Sequence, residues 1–398
     1  MTEWKQAQEY VELAFSIDRY FPDYVDAYFG PPQIKTDLLA QPKPTLPELS
    51  SRVERIFNST DEDETLPDER KDFLLAQLTA MQTMIQILGG KEISVVEEMQ
   101  HFFGLTPSWV KEDVFDNIHN QLDTLLPGKG SLPERMQDFR EATAIPNEKL
   151  LSFIRQISSE LQRLTHEFVP MPEKEGCEYV LVNDKPWKGY NWYQGSYQSR
   201  VEFNTDLPTF LSALPMFIAH EAYPGHHTDN VMKEKELFQG KGYLEASINL
   251  LNTPASVLAE GIGENALNAA ASPEQIMDFF QFMLDELHIS EFNGAGIYQL
   301  TKTWKQVDLL NINLVLMLHD RKAPDHEVID YQLQYGLSSK EHALKSLEFL
   351  KNPMFRSYAC LYPLGYQLVD DYLTNGANRK KRFLHLLQNQ VLPSQLGV

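Results

Sequence analysis

With 398 residues, 42% of them hydrophobic, the chain is long enough to bury one large core or two connected lobes. Its 56 acidic against 35 basic residues give a formal charge of −21, which disfavours nucleic acid and anionic membrane surfaces as partners. No apolar run reaches the roughly 18 residues of a membrane span, and the opening Met1-Thr2-Glu3-Trp4-Lys5-Gln6 lacks the basic and apolar stretches of a secretory signal. Two cysteines, Cys177 and Cys360, stand far apart and form no CxxC pair. Such sparse usage fits a reducing compartment, so a cytoplasmic protein is expected.

In chain order, the first third reads as helices with apolar positions three and four apart. The clearest is Phe73, Leu74, Leu78, Met81, Ile85 and Leu88, stopped by Gly89-Gly90. Breaks fall at Gly30-Pro31-Pro32, Gln41-Pro42-Lys43-Pro44 and Pro127-Gly128-Lys129-Gly130, and a further helix is expected from Leu150 to Phe168. After Pro170 a β-rich stretch runs through Glu178-Tyr179-Val180-Leu181-Val182, Gly189 to Tyr193 and Ser199 to Phe203. Helical periodicity returns after Pro208, including Pro273 to Ile289 and Ile297 to Leu318. The expected architecture is mainly α and multi-helical, with a small sheet. Residues 1–170 read as a helical scaffold lobe and 171–398 as a second lobe that holds the sheet and, in the segments taken next, the candidate catalytic and zinc-binding residues, together one functional unit. Within the sheet, Val201-Glu202-Phe203-Asn204 stands where an edge strand would meet an extended substrate, which makes Asn204 a candidate substrate contact.

The chemistry concentrates in His220-Glu221-Ala222-Tyr223-Pro224-Gly225-His226-His227. Neutral imidazoles and carboxylates are the donors zinc prefers, and a catalytic site leaves one position open for water. Glu221, directly after the first histidine, suits a general base that takes a proton from that water. The common spacing HExxH places two histidines one helical turn apart, but position 224 is proline, which a helix interior does not tolerate. His227 on a straight helix would stand about 10 Å from His220, too far for one zinc, so the helix is expected to bulge or break. If Pro224-Gly225 is a looped insertion, His226 takes the ligand position and His227 lies behind it; the two remain alternatives. For the third ligand the best candidate is Glu260, in Leu258-Ala259-Glu260-Gly261-Ile262-Gly263-Glu264, where Gly261 and Gly263 allow close approach to the metal helix. Glu264, on the same face, is a supporting, substrate-contacting or alternative ligand residue. His101, His119, His166, His288, His326 and His342 read as surface or satisfied core residues.

These residues resemble the domain-of-unknown-function 885 family of gluzincin-type zinc peptidases. The HExxPGHH segment of that family is matched by His220 to His227, and the first two positions of its EGW segment by Glu260-Gly261, with Ile262 in place of tryptophan. The likeness extends through Leu318-His319-Asp320, Pro353 to Tyr358, Tyr362 to Tyr366, Phe383-Leu384-His385 and Leu392-Pro393. It implies a helical zincin fold with two histidines and a glutamate on zinc, and an oxyanion donor from outside the metal helix. Tyr358, Tyr362 and Tyr366 recur four apart, and Tyr362 is the expected donor, with Arg356 a candidate for a substrate carboxylate. The expected function is zinc-dependent hydrolysis of a peptide bond. The alternatives are an amidase acting on a small amide and a scaffold protein with a vestigial metal site.

Overall fold

Each proline or glycine break in the first third becomes the start or end of a helix. The computed structural model describes residues 4–185 and 187–397. Pro32 opens the helix Pro32–Leu39, and Thr45 with Glu48 forms the capping box of Leu46–Asp61. Asp68–Leu88 begins with two acids in its first turn, buries Phe73, Leu74, Leu78, Met81 and Ile85, and stops at Gly89, beyond which Gly90 takes a left-handed φ of 89°. The periodicity from Leu150 lies in Asn147–His166 and that from Pro273 in Pro273–Glu286. The protein is mainly α-helical.

The expected long helix from Ile297 to Leu318 is instead a chain of pieces. An α-helix Gly294–Trp304 tightens into a 3₁₀ segment Lys305–Leu309, resumes as Leu310–Val315, and widens into π turns at Leu316–Asp320. Such changes of pitch redirect side chains; here the tight segment begins at Lys305, whose ammonium reaches another helix.

The β-rich stretch forms a three-stranded sheet in the order Gly176–Val182, Gln198–Asn204, Gly189–Gly195. The middle strand runs parallel to the first and antiparallel to the last, with Val201 opposite both Tyr179 and Asn191. Val201-Glu202-Phe203-Asn204 is therefore interior, its ladder taken up by neighbours on both sides, and it offers no edge. Two short pairings join distant parts of the chain: Val25–Tyr28 with Ile248–Leu250, and Ala144–Ile145 with Thr209–Phe210.

A continuous hydrophobic core extends from Trp4 to Leu396 and draws on both halves of the chain, with Leu74 and Phe103 in the same cluster as Ile262 and Leu314. Near its centre the helices Pro254–Ala270 and Leu361–Thr374 cross at Gly261 and Gly365. A Cβ on Gly261 would stand 2.5 Å from the Gly365 carbonyl, so neither position has room for a side chain. Gly261 thus serves the crossing with Leu361–Thr374 rather than contact with the histidine-bearing helix.

Candidate metal centre

The histidine-bearing helix, Leu214–Glu221, ends one residue after His220. Ala222 leaves helical geometry, Tyr223-Pro224 is a cis peptide, and a new helix starts at His226 and runs to Met232. The expected break is therefore a complete interruption of four residues, and it folds back so tightly that the Gly225 amide donates to the Ala219 carbonyl at 2.9 Å. A Cβ at Gly225 would lie 1.9 Å from the His220 carbonyl oxygen, so only glycine fits there. The fold-back brings the His220 and His226 rings to 4.5 Å between centroids, nearly perpendicular.

Glu260 comes to meet them from Pro254–Ala270. One donor atom from each of His220, His226 and Glu260 lies within 4.8 Å of the other two. Ligands bonded at about 2.1 Å to a tetrahedral ion stand roughly 3.4 Å apart; His220 Nε2 and Glu260 Oε2 are already at 3.4 Å, and His226 Nε2 is 3.9 Å from Glu260 Oε1. Glu260 Oε1 accepts the Tyr358 hydroxyl at 2.7 Å, whereas Oε2 is buried without a hydrogen-bond partner among the described residues. A buried carboxylate oxygen is costly unless something cationic sits against it; a protonated His220, 3.4 Å away, does so in the chain alone, and a metal ion between the three donors would do so in its place. The donor set, two imidazoles and a carboxylate, is one that zinc takes.

Gly263 gives His220 its place. A Cβ there would fall 2.7 Å from the imidazole, so the ring lies directly on the helix backbone. On its other side, His220 Nδ1 stands 3.5 Å from Glu264 Oε1. Glu264 is in turn held by Lys305, which also bonds Asp308 at 2.7 Å. A carboxylate behind a ligating imidazole fixes its tautomer and orientation, and Glu264 is placed for that.

The electrostatics follow from burial and from the crowding of acids. Burial pushes His220 down, but Glu260, Glu221 and Glu264 together carry it up to about 9. In the chain alone, a proton on His220 supplies the positive charge that the carboxylates demand. Burial, reinforced by that charge, lowers His226 to about 4, leaving the neutral imidazole that binds metals. Burial would raise Glu260, yet its hydrogen bonds and the two histidines hold it at about 2. Glu221 goes the other way. Burial first, then Glu260, Asp26 and Glu264, raise it to about 7 against the opposing pull of His220.

Glu221 and His220 line a cavity of about 400 Å³, a volume suited to a small ligand. Glu264 and Tyr362 line it too. The Tyr362 ring packs 6.1 Å from Tyr358, and its hydroxyl makes no hydrogen bond among the described residues.

The other sequence candidates lie elsewhere. His227 is fully buried and points to the sheet, its Nδ1 2.8 Å from Ser199 Oγ and its Nε2 2.8 Å from Glu175. It fastens the second helix of the fold-back instead of facing the cavity. Arg356 is consumed by Glu98, which its Nε meets at 2.7 Å and which Ser357 also bonds at 2.6 Å. Asn204 is buried, its amide donating to the carbonyls of Lys185 and Trp187 at 2.8 and 3.0 Å, so it braces the loop before the edge strand.

Several participants gave no sequence signal. Asp26, bonded by Tyr190 and raised to about 6 mainly by burial, adds negative charge next to Glu221 and Glu260. Glu175 gathers His227, Tyr223 at 2.6 Å, and Gln162 and His166 at 2.8 Å each. Asn191 donates to the Glu221 carbonyl at 2.5 Å and ties the edge strand to the end of the histidine-bearing helix.

No family model matches the chain, and no curated protein matches it. Over its whole length the chain is similar in fold to a crystal structure titled "putative lipoprotein from Colwellia psychrerythraea", with 15% identity, a TM-score of 0.54, and coverage of 100% of this chain and 75% of that one. A "putative lipoprotein of unknown function from Shewanella oneidensis" is similar at 12% identity and a TM-score of 0.50, covering 98% of this chain and 81% of that one. These findings overturn the resemblance to the domain-of-unknown-function 885 family, since no family model carries it and the structural neighbours are described in other terms. Short motifs of eight and two residues are too little to establish a family. Among the described residues, no helix is long and apolar enough to cross a membrane.

Proposed function

We propose that the protein is a zinc-dependent hydrolase of peptide bonds, built on a zincin-like arrangement in which His220, His226 and Glu260 hold the metal. The observation that carries this reading is the convergence of one donor atom from each of those three residues to within 4.8 Å of the others, beside a cavity that Glu221 lines. Zinc, when bound, supplies Lewis acidity to the water and to the scissile carbonyl. Glu221, buried beside His220 and lining the cavity, takes the proton from the attacking water and returns it to the leaving amine. Tyr362, which lines the cavity and whose hydroxyl makes no hydrogen bond among the described residues, is the donor for the oxygen that gains charge. Glu264 holds His220 in register, and Tyr358 does the same for Glu260.

The cytoplasm belongs to this reading through the two free cysteines, Cys177 and Cys360. The test is Glu221→Gln. It should keep one zinc per chain while peptide hydrolysis falls by about 10²- to 10⁴-fold; undiminished turnover would sink the assignment. The volume of about 400 Å³ also admits a small amide, and a mixed peptide library separates the two substrates by its cleavage products.

A further inference from the structure

The cavity has a further charged residue in its lining. Lys188, half-buried in the turn before the edge strand, lines it together with Glu221, and its ammonium has no carboxylate partner among the described residues. Its recorded neighbour is the Phe210 ring, 5.7 Å away. Other lysines with little exposure are answered: Lys305 by Glu264 and Asp308, Lys233 by Asp229. Burial lowers the Lys188 pKa, with no acid close enough to restore it. In a chain with 56 acidic residues, an ammonium left half-buried and unanswered is an expensive arrangement that an incoming anion would relieve.

The surroundings are positive as well. Partial burial together with Arg140, Lys188 and Lys345 lowers His342, so Lys188 has other cations in its neighbourhood. Arg140 offers a bond to the Leu337 carbonyl and lies over the Trp304 ring, again without a carboxylate partner among the described residues. Met216, Phe217 and Phe349 supply apolar wall. The cavity therefore carries His220, Glu221 and Glu264, a greasy lining, and a lysine with no carboxylate partner among the described residues.

We propose that Lys188 receives the free carboxylate of the substrate, so that the preferred substrates are peptides or acyl amino acids whose C-terminal carboxylate lies next to the bond presented to Glu221. This rests on the hydrolase reading given above for the reaction, but the anion site itself does not need turnover. Arg356, the sequence candidate for this role, is already neutralised by Glu98, whereas Lys188 lines the cavity with no carboxylate partner among the described residues.

The test is calorimetric binding of N-acetyl-phenylalanyl-phenylalanine and of its C-terminal amide to zinc-loaded Glu221→Gln protein, alone and with Lys188→Met or Lys188→Arg added. The acid should bind about tenfold or more tighter than the amide. Lys188→Met should abolish that preference and leave amide affinity unchanged, whereas Lys188→Arg should keep most of it. Equal affinity for acid and amide, no measurable binding of the acid, or a preference that survives Lys188→Met overturns the proposal. Turnover by the zinc-loaded wild-type protein is read separately. Failure to hydrolyse either compound, with the binding preference intact, would refute the reaction and leave the carboxylate site standing.

Discussion

The Tyr358 hydroxyl donates to one oxygen of Glu260 at 2.7 Å and leaves the other oxygen buried and bare. That division of labour orients the carboxylate: one oxygen is held by Tyr358 and has His226 3.9 Å away, and the other stands 3.4 Å from His220. Tyr358→Phe should therefore weaken zinc binding about 10- to 100-fold, the range seen when a partner of a metal ligand is removed. A zinc titration against a competing chelator measures this. Unchanged affinity would mean that the hydroxyl does not orient the ligand.

Gly263→Ala tests the seat of His220. On propensity alone, alanine in a helix gains about 1 kcal/mol over glycine. Here the added methyl would stand 2.7 Å from the imidazole, so the ring must move. Overpacking of this kind costs typically about 1–3 kcal/mol. The expected outcome is a protein no more stable than the parent in denaturant unfolding, with impaired zinc binding. A stabilised variant with normal zinc affinity would contradict the placement.

Glu175 connects the fold-back to the rest of the sheet and carries a dependence on acid. Burial would raise its pKa, but the bonds from His227, Tyr223 and Gln162 hold it at about 2, below the usual value near 4.5. A carboxylate whose folded pKa is depressed contributes stability that is complete above about 4.5 and is lost as pH falls towards about 2. Glu175→Gln should flatten the acid limb of stability against pH over that window. It should also cost about 3–5 kcal/mol near neutrality, because the buried His227 loses its partner. Urea midpoints from pH 7 down to 3 decide this, and a parallel acid limb in the variant would rule it out.

The parts of the site that were legible in the sequence are those whose partners are local. His220, Glu221 and the interruption at Pro224-Gly225 follow from eight consecutive residues, and Glu260 with Gly263 from one short helical stretch. His226 and His227 could not be separated, because the choice depends on how the chain folds back, and the geometry puts His226 beside Glu260 and His227 against Glu175. Tyr358 and Glu260 are 98 positions apart, and Arg356 and Glu98 are 258 apart. No periodicity encodes such pairs, so the sequence offers Tyr358 only as one of three tyrosines four apart and Arg356 as a substrate contact, whereas the fold sets Tyr358 on Glu260 and Arg356 on Glu98. Asn204 was misplaced for a topological reason. Strand order is set by pairing, and the third strand in sequence lies in the middle of the sheet.

The most direct test of the whole account is the zinc content of the purified, folded protein and of its His226→Ala and Glu260→Gln variants, measured by elemental mass spectrometry after equilibration with zinc and buffer exchange. One zinc per wild-type chain, lost in both folded variants, is the result predicted by the geometry. A folded wild-type protein that takes up no zinc, or variants that keep it at full stoichiometry, would contradict the assignment of His220, His226 and Glu260 as a metal centre.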